Sequence, residues 1–282
     1  MSKSYFVKDL LKDQVALITG AGTGIGKIIG LELARHGAHI ILVSRNAERL
    51  EAAAQEIRAL GPKALVIPTD ISDIKQVKTM SAKAVEEFGH VDCLINNAAA
   101  NFVRPTEAIT SVRWEKVVDI VLNGTFFCTN EIGRKMLQRG SGKIINMVAT
   151  YAWTGGPGFA PSVSAKAGVV ALTQTLGAEW AGRGVLVNAI APGAINTPQT
   201  EEKLWPLPEI QQKLLKSIPL GRFGTEHDVA NLILYLASPM GNYIAGEIIV
   251  VDGGWWLGKG AMEMMGGAIP ERIEKQAART NS

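Results

Sequence analysis

Short apolar runs alternate with longer amphipathic stretches along most of the chain. Residues 14–19, 39–43, 63–68, 92–96, 143–148, 185–190 and 247–251 are runs of five or six residues rich in strand formers. Between them lie segments of helical periodicity at 27–36, 47–60, 74–88, 112–138, 161–181 and 224–237. Strands of this length alternating with helices of ten or more residues predict an α/β fold. A Rossmann-type, doubly wound parallel sheet with helices on both faces is expected. The crossovers should be right-handed. No repeat or linker divides the chain, so residues 1–282 read as one domain. Residues 198–220 hold several prolines and read as a long irregular insertion, a candidate substrate lid. From about residue 255 a C-terminal extension follows, with Trp255 and Trp256 exposed-looking and a helix possible after Pro270. The extension either lines a cleft or joins a subunit contact.

Composition narrows the picture. At 282 residues and 47% hydrophobic content the chain is long enough to bury a large core. A net charge of +3 is too mild to argue for nucleic acid, though it suits an anionic ligand. Cys93 and Cys128 sit in apolar segments and read as buried thiols rather than a disulfide. The four histidines lack metal-ligand spacing. No apolar run has membrane-spanning length, and the stretch before the first strand is too short for a signal peptide. The terminal Arg-Thr-Asn-Ser is not a peroxisomal address. A cytoplasmic protein acting on a small molecule is expected.

Candidate chemistry starts at the first strand-to-helix turn. Gly20, Gly24 and Gly26, with Thr23 and Ile25 between them, allow a tight turn and a close backbone approach. A pyrophosphate would meet the N-terminus of the following helix. The second strand ends in Ser44-Arg45, where an NAD-binding unit usually carries Asp or Glu. A guanidinium there suits a 2′-phosphate, so NADP is expected over NAD. Asp70 and Ile71 follow the third strand and Asn97-Ala98-Ala99 the fourth, at the same sheet edge. The loop containing Pro192, Gly193, Ile195 and Thr197 follows the sixth strand, where it would meet the nicotinamide amide.

The chemistry should converge after the fifth strand. Ser162 and Lys166 are four apart and share one helix face. Tyr151 lies where the strand gives out, at the edge where open α/β sheets bind ligands. Asn123, a polar residue interrupting a long helical pattern, needs a partner and would face the cleft.

Thr19-Gly-x-x-x-Gly-x-Gly26, Asn96-Asn-Ala-Ala99, Asn123, Pro192-Gly193 and Asp252-Gly-Gly254 resemble the short-chain dehydrogenase/reductase family over nearly the whole chain. That resemblance implies a seven-stranded parallel sheet, a nicotinamide cofactor and commonly a tetramer. The family's usual Tyr-x-x-x-Lys is broken here: Ser162 holds the tyrosine position and Ala149 the upstream serine position. The combination of Tyr151, Ser162 and Lys166 is instead similar to 2,4-dienoyl-CoA reductases. So are Asn97-Ala-Ala-x-Asn-Phe102, Asp119-Ile-Val-Leu-Asn-Gly124, Glu131-Ile-Gly133 and Pro161-Ser-x-Ser-Ala-Lys-Ala-Gly168. The resemblance implies Tyr151, Lys166, Ser162 and Asn123 as catalytic residues and an acyl-CoA-type substrate. It departs at Ser72, where those enzymes tend to have an arginine, and in the segment of Trp255 and Trp256. Three readings stay open: a dienoyl-CoA reductase, a carbonyl or alcohol oxidoreductase, and a catalytically silent NADP-binding protein.

Overall fold

The computed structural model describes residues 6–197, 200 and 207–257. Seven parallel strands form one sheet: β1 (Val15–Thr19), β2 (His39–Ser44), β3 (Ala64–Pro68), β4 (Cys93–Asn96), β5 (Gly142–Met147), β6 (Val185–Pro192) and β7 (Ile248–Val251). Their order is β3-β2-β1-β4-β5-β6-β7, and the parallel, two-faced arrangement is the one the alternating pattern predicts. The order reverses between β1 and β4, and such a switch point opens a crevice at the carboxyl ends of the strands.

Helices α1 (Gly24–Arg35), α2 (Ala47–Arg58) and α9 (Glu226–Ala237) cover one face. Helices α3 (Ile74–Phe88), α5 (Gly124–Arg139) and α7 (Ala160–Trp180) cover the other. Strand β1 feeds both cores, because successive side chains alternate across a sheet. Ala16 and Ile18 pack with the first set, and Val15 and Leu17 with the second. Side-chain caps start several helices where the sequence supplies Asn, Asp or Thr. Asn46 accepts from the Arg49 amide at 2.8 Å. Asp73 accepts from Lys75 at 2.8 Å. Thr225 and Asp228 form a reciprocal capping box on α9.

The predicted interruption of the long helical pattern is a π-helical turn at Asp119–Asn123, between α4 (Ser111–Val118) and α5. A polar ladder ties the site ends of two central strands, where Asn96 pairs with Asn146. Asn96 Nδ2 donates to Asn146 Oδ1 and to Thr129 Oγ1, each at 2.9 Å. Asn146 Nδ2 donates to Thr173 Oγ1 at 3.0 Å. These groups are buried, so the bonds are what make their burial tolerable.

Two expectations need correction. The insertion at 198–220 is not irregular throughout, since Pro208–Ser217 forms helix α8. Its first turn carries Pro208 and Glu209, both suited to a helix start. Tyr151 does not sit on a strand end. It begins a one-turn helix, α6 (Tyr151–Thr154), that follows β5. Residues 198, 199 and 201–206 of the proposed lid lie outside the described residues, as does the extension from 258, including the helix expected after Pro270.

Candidate active site

The glycine loop between β1 and α1 is closed by contacts that exclude side chains. A Cβ on Gly26 would lie 2.3 Å from the Gly20 carbonyl oxygen and 2.5 Å from Asn97 Nδ2. Gly20 adopts φ +69, a left-handed conformation that favours glycine. The side chain of Asn97 clamps the loop by donating to the carbonyls of Thr19 at 3.0 Å and Gly20 at 3.3 Å. Thr19, which opens the glycine motif but has no role assigned from the sequence, completes the joint: its hydroxyl accepts from the Asn97 and Ala98 amides, both at 3.0 Å. A polar residue ending an otherwise apolar strand was the available signal. Unlike its neighbours, α1 begins without a side-chain cap and with no acidic residue in its first turn. Its leading N–H groups are therefore open to an anion.

Beside this loop lies a hollow of about 360 Å³ lined by Gly20, Thr23, Gly24, Ile25, Gly26, Ser44, Arg45, Asp70, Ile71, Asn97, Ala98, Ala99 and Thr197. Thirteen sequence-predicted residues thus meet at one crevice. Asp70 is partly engaged, because its Oδ1 accepts from the Ser72 hydroxyl at 2.6 Å and the Ser72 amide at 3.0 Å. A further hollow of about 550 Å³ opens beside the end of β2, lined by Ser44, Arg45, Asn46, Arg49 and the glycine loop. No acidic residue is among its lining. Arg49 was missed in the sequence. It lies in the first turn of α2, four residues beyond Arg45, and a Cβ on Gly22 would come within 3.3 Å of its own Cβ.

The second cavity, of about 660 Å³, shares Ile25, Asn97, Ala99 and Thr200 with the first and continues the same cleft. It brings in Tyr151, Lys166, Pro192, Gly193 and Ile195. Its far wall is apolar: Met147, Phe159, Ile210 and Leu214, closed by Trp255. Gly193 is small for a structural reason, since a Cβ there would lie 2.4 Å from the Cβ of Asp252.

The Tyr151 hydroxyl is 3.0 Å from Ser162 Oγ. The Tyr151 ring stacks on Phe159 with centroids 5.9 Å apart and planes 10° apart. Burial raises the phenol above its ordinary value, and the Ser162 hydrogen bond opposes the rise without cancelling it. One turn along α7 from Ser162, the Lys166 ammonium is buried and donates to the Met147 carbonyl. Desolvation holds it down to about 8.

Asn123 is placed differently from expectation. Its Nδ2 donates to Asp119 Oδ1 at 2.8 Å, across the π turn, and it lines neither cavity. Ser162 is buried behind Tyr151 and reaches the cleft only through that hydroxyl. The tryptophans of the C-terminal segment are half-buried, not exposed. Trp255 lines the cleft and donates from Nε1 to Ser217 Oγ at 2.9 Å.

Residues 20–256 match the family model described as enoyl-(acyl carrier protein) reductase. The chain is 41% identical over 249 residues to a probable 2,4-dienoyl-CoA reductase, (2E)-enoyl-CoA-producing, of Bacillus subtilis, covering 88% of this chain and 98% of that one. It is 37% identical over 243 residues to the 3-oxoacyl-[acyl-carrier-protein] reductase FabG of Staphylococcus aureus, covering 86% and 98%. The crystal structure of a short chain dehydrogenase from Bacillus anthracis superposes with a TM-score of 0.81 at 41% identity, over 88% of this chain and 98% of that one. A putative NAD(P)-dependent gluconate 5-dehydrogenase from Beutenbergia cavernae, solved with bound NADP at low occupancy, superposes with a TM-score of 0.83 at 34% identity, over 87% and 97%. The clamped glycine loop, the sheet order and these likenesses agree, and the chain belongs to the short-chain dehydrogenase/reductase family of oxidoreductases.

Proposed function

We propose that the chain is an NADPH-dependent reductase of conjugated 2,4-dienoyl-CoA thioesters. The observation that carries this reading is the relocated phenol: Tyr151 on α6 reaches Ser162 at 3.0 Å, in a cleft that Lys166 also lines. The likeness to the Bacillus subtilis protein supports the substrate class. The cofactor fits the residues present. The uncapped start of α1 suits a pyrophosphate. Arg45 and Arg49 around an acid-free hollow suit a 2′-phosphate. When bound, the nicotinamide supplies a hydride, the chemistry needed to reduce the far carbon of a diene.

The protein's own task is to stabilise the negative charge that then gathers on the thioester oxygen. A preorganised donor aimed at that oxygen is the main resource available. Tyr151 is that donor, with Ser162 fixing the direction of its hydroxyl. The raised phenol keeps its proton at neutral pH, as a donor must. Lys166 would hold ribose hydroxyls of a bound nucleotide and supply positive charge. Asn123, tied to Asp119, shapes the π turn and leaves the oxyanion to Tyr151. The apolar far wall receives the acyl chain. Among the described residues no helix is long and apolar enough to cross a membrane; we place the protein in the cytoplasm, as a homotetramer by family resemblance.

Loss of one oxyanion donor typically lowers turnover by about 10²–10³. Tyr151→Phe should do so on a 2,4-dienoyl-CoA while NADPH affinity stays at the wild-type value. Full turnover in that variant removes Tyr151 from the chemistry. The likeness to FabG favours a second reading, reduction of a 3-oxoacyl thioester. Following NADPH absorbance with 2,4-dienoyl-CoA, 3-oxoacyl-CoA and simple ketones separates the two. NADPH binding with turnover on none of them would leave a silent nucleotide-binding protein.

A further inference from the structure

The short helix that carries Tyr151 has little to hold it in place by itself. It is four residues long, its N-terminal flank Thr150 makes no side-chain cap, and Gly155 ends it at φ 73. A single helical turn is unstable without tertiary support. Support comes from two sides. Towards the cleft, the Tyr151 ring lies on Phe159. On the outer side, Trp153 meets Trp256 with ring centroids 5.6 Å apart.

Trp256 is itself fixed to the sheet. Asp252, the residue after β7, accepts from the Gly254 amide at 2.8 Å and from the Trp256 amide at 2.7 Å. Gly253 and Gly254 adopt φ +66 and +85, which lets the chain turn back over the site. A path of hydrogen bonds and ring contact therefore runs from β7 through Asp252 and Trp256 to Trp153, which shares its single helical turn with Tyr151.

We propose that Trp256 is a positioning residue for Tyr151, acting through Trp153 and not through substrate or cofactor. The proposal rests on the reading of Tyr151 as the oxyanion donor. Aromatic pairs favour particular relative orientations, so this contact fixes a direction as well as filling space. A displacement of order 1 Å at a reacting group lowers the rate by up to about a hundredfold.

The test is kinetic, on the full chain. Trp256→Ala should lower kcat by about ten- to a hundredfold, with KM for the thioester and Kd for NADPH close to wild type. Trp153→Ala should do the same, and the double variant should be no worse than either single one, because both break the same link. Trp256→Phe should restore most of the rate. Adding Trp256→Ala to Tyr151→Phe should cost nothing further. A wild-type kcat in Trp256→Ala beside an impaired Tyr151→Phe overturns this inference alone. So do additive losses in the double variant, or a parallel loss of NADPH affinity, which would mark general damage. A fully active Tyr151→Phe overturns the underlying reading, and this inference with it.

Discussion

The two halves of the cleft are built in different ways. The nucleotide half is made mainly of the four turns after β1, β2, β3 and β4, whose residues lie within about eighty positions of one another, and its fit is enforced by backbone contacts. Gly26 has no room for a methyl group, and Asn97 clamps Gly20 from the neighbouring turn. The substrate half draws on α6, α7, α8 and the segment after β7, and its walls are side chains: Phe159, Leu214, Trp255. At Gly20 and Gly26 the first half has no room for a side chain. Under the proposed function, exchange of a few apolar residues in the second would alter acyl-chain preference. Relatives named as 2,4-dienoyl-CoA and 3-oxoacyl-[acyl-carrier-protein] reductases align with most of this chain.

That contrast predicts a gradient of effects. The largest falls on the nucleotide half. Gly26→Ala should weaken NADPH binding by about a hundredfold or more, since the added Cβ would meet backbone that cannot yield. Equilibrium fluorescence of bound NADPH measures it, and a near-normal Kd would show that the loop adapts. Next come the arginines. Arg45→Ala and Arg49→Ala should each weaken NADPH by about tenfold, as expected for a lost charge-assisted hydrogen bond. Neither should alter NADH affinity. Equal loss for both dinucleotides would move the arginines off the 2′-phosphate.

Lys166 lines the larger cavity and carries a pH signature. Its folded value of about 8 lies below the ordinary 10.5. Below about pH 8 the folded chain therefore bears the whole penalty of a buried charge. Stability should rise with pH between about 8 and 10.5, where the unfolded chain binds the extra proton. Lys166→Met should accordingly raise nucleotide-free stability by about 1–3 kcal/mol near pH 7 while abolishing turnover. Denaturant titration at several pH values follows the first effect. kcat/KM should fall as pH rises through about 8, where the free enzyme loses this charge. A profile flat to pH 9 would detach Lys166 from the rate. The smallest effect falls on the apolar wall: Leu214→Ala should raise KM for long acyl chains by about tenfold or less, leaving short ones unchanged. A uniform change across chain lengths would place the acyl tail elsewhere.

Most of the nucleotide half was legible in the residues, and so was the sheet. A parallel strand buried on both faces must be a short apolar run, and a phosphate-binding turn must spare room for backbone, so both leave local signatures. Residues such as Gly24, Arg45 and Asn97 could be brought to one crevice from their place after a strand. Arg49 escaped notice because nothing in the spacing says that it leans over Gly22. Asn123 was placed in the cleft on the rule that a buried amide needs a partner. The rule held, but the partner is Asp119 on the same π turn. Tyr151 was associated with Ser162 and Lys166 from their order, whereas its short helix and its packing through Trp153 depend on residues about a hundred positions away. Periodicity and turn chemistry act between neighbours along the chain, so the primary structure carries them openly. The aim of a side chain into the cleft is set by whichever distant segment packs behind it, and only folding brings that segment there.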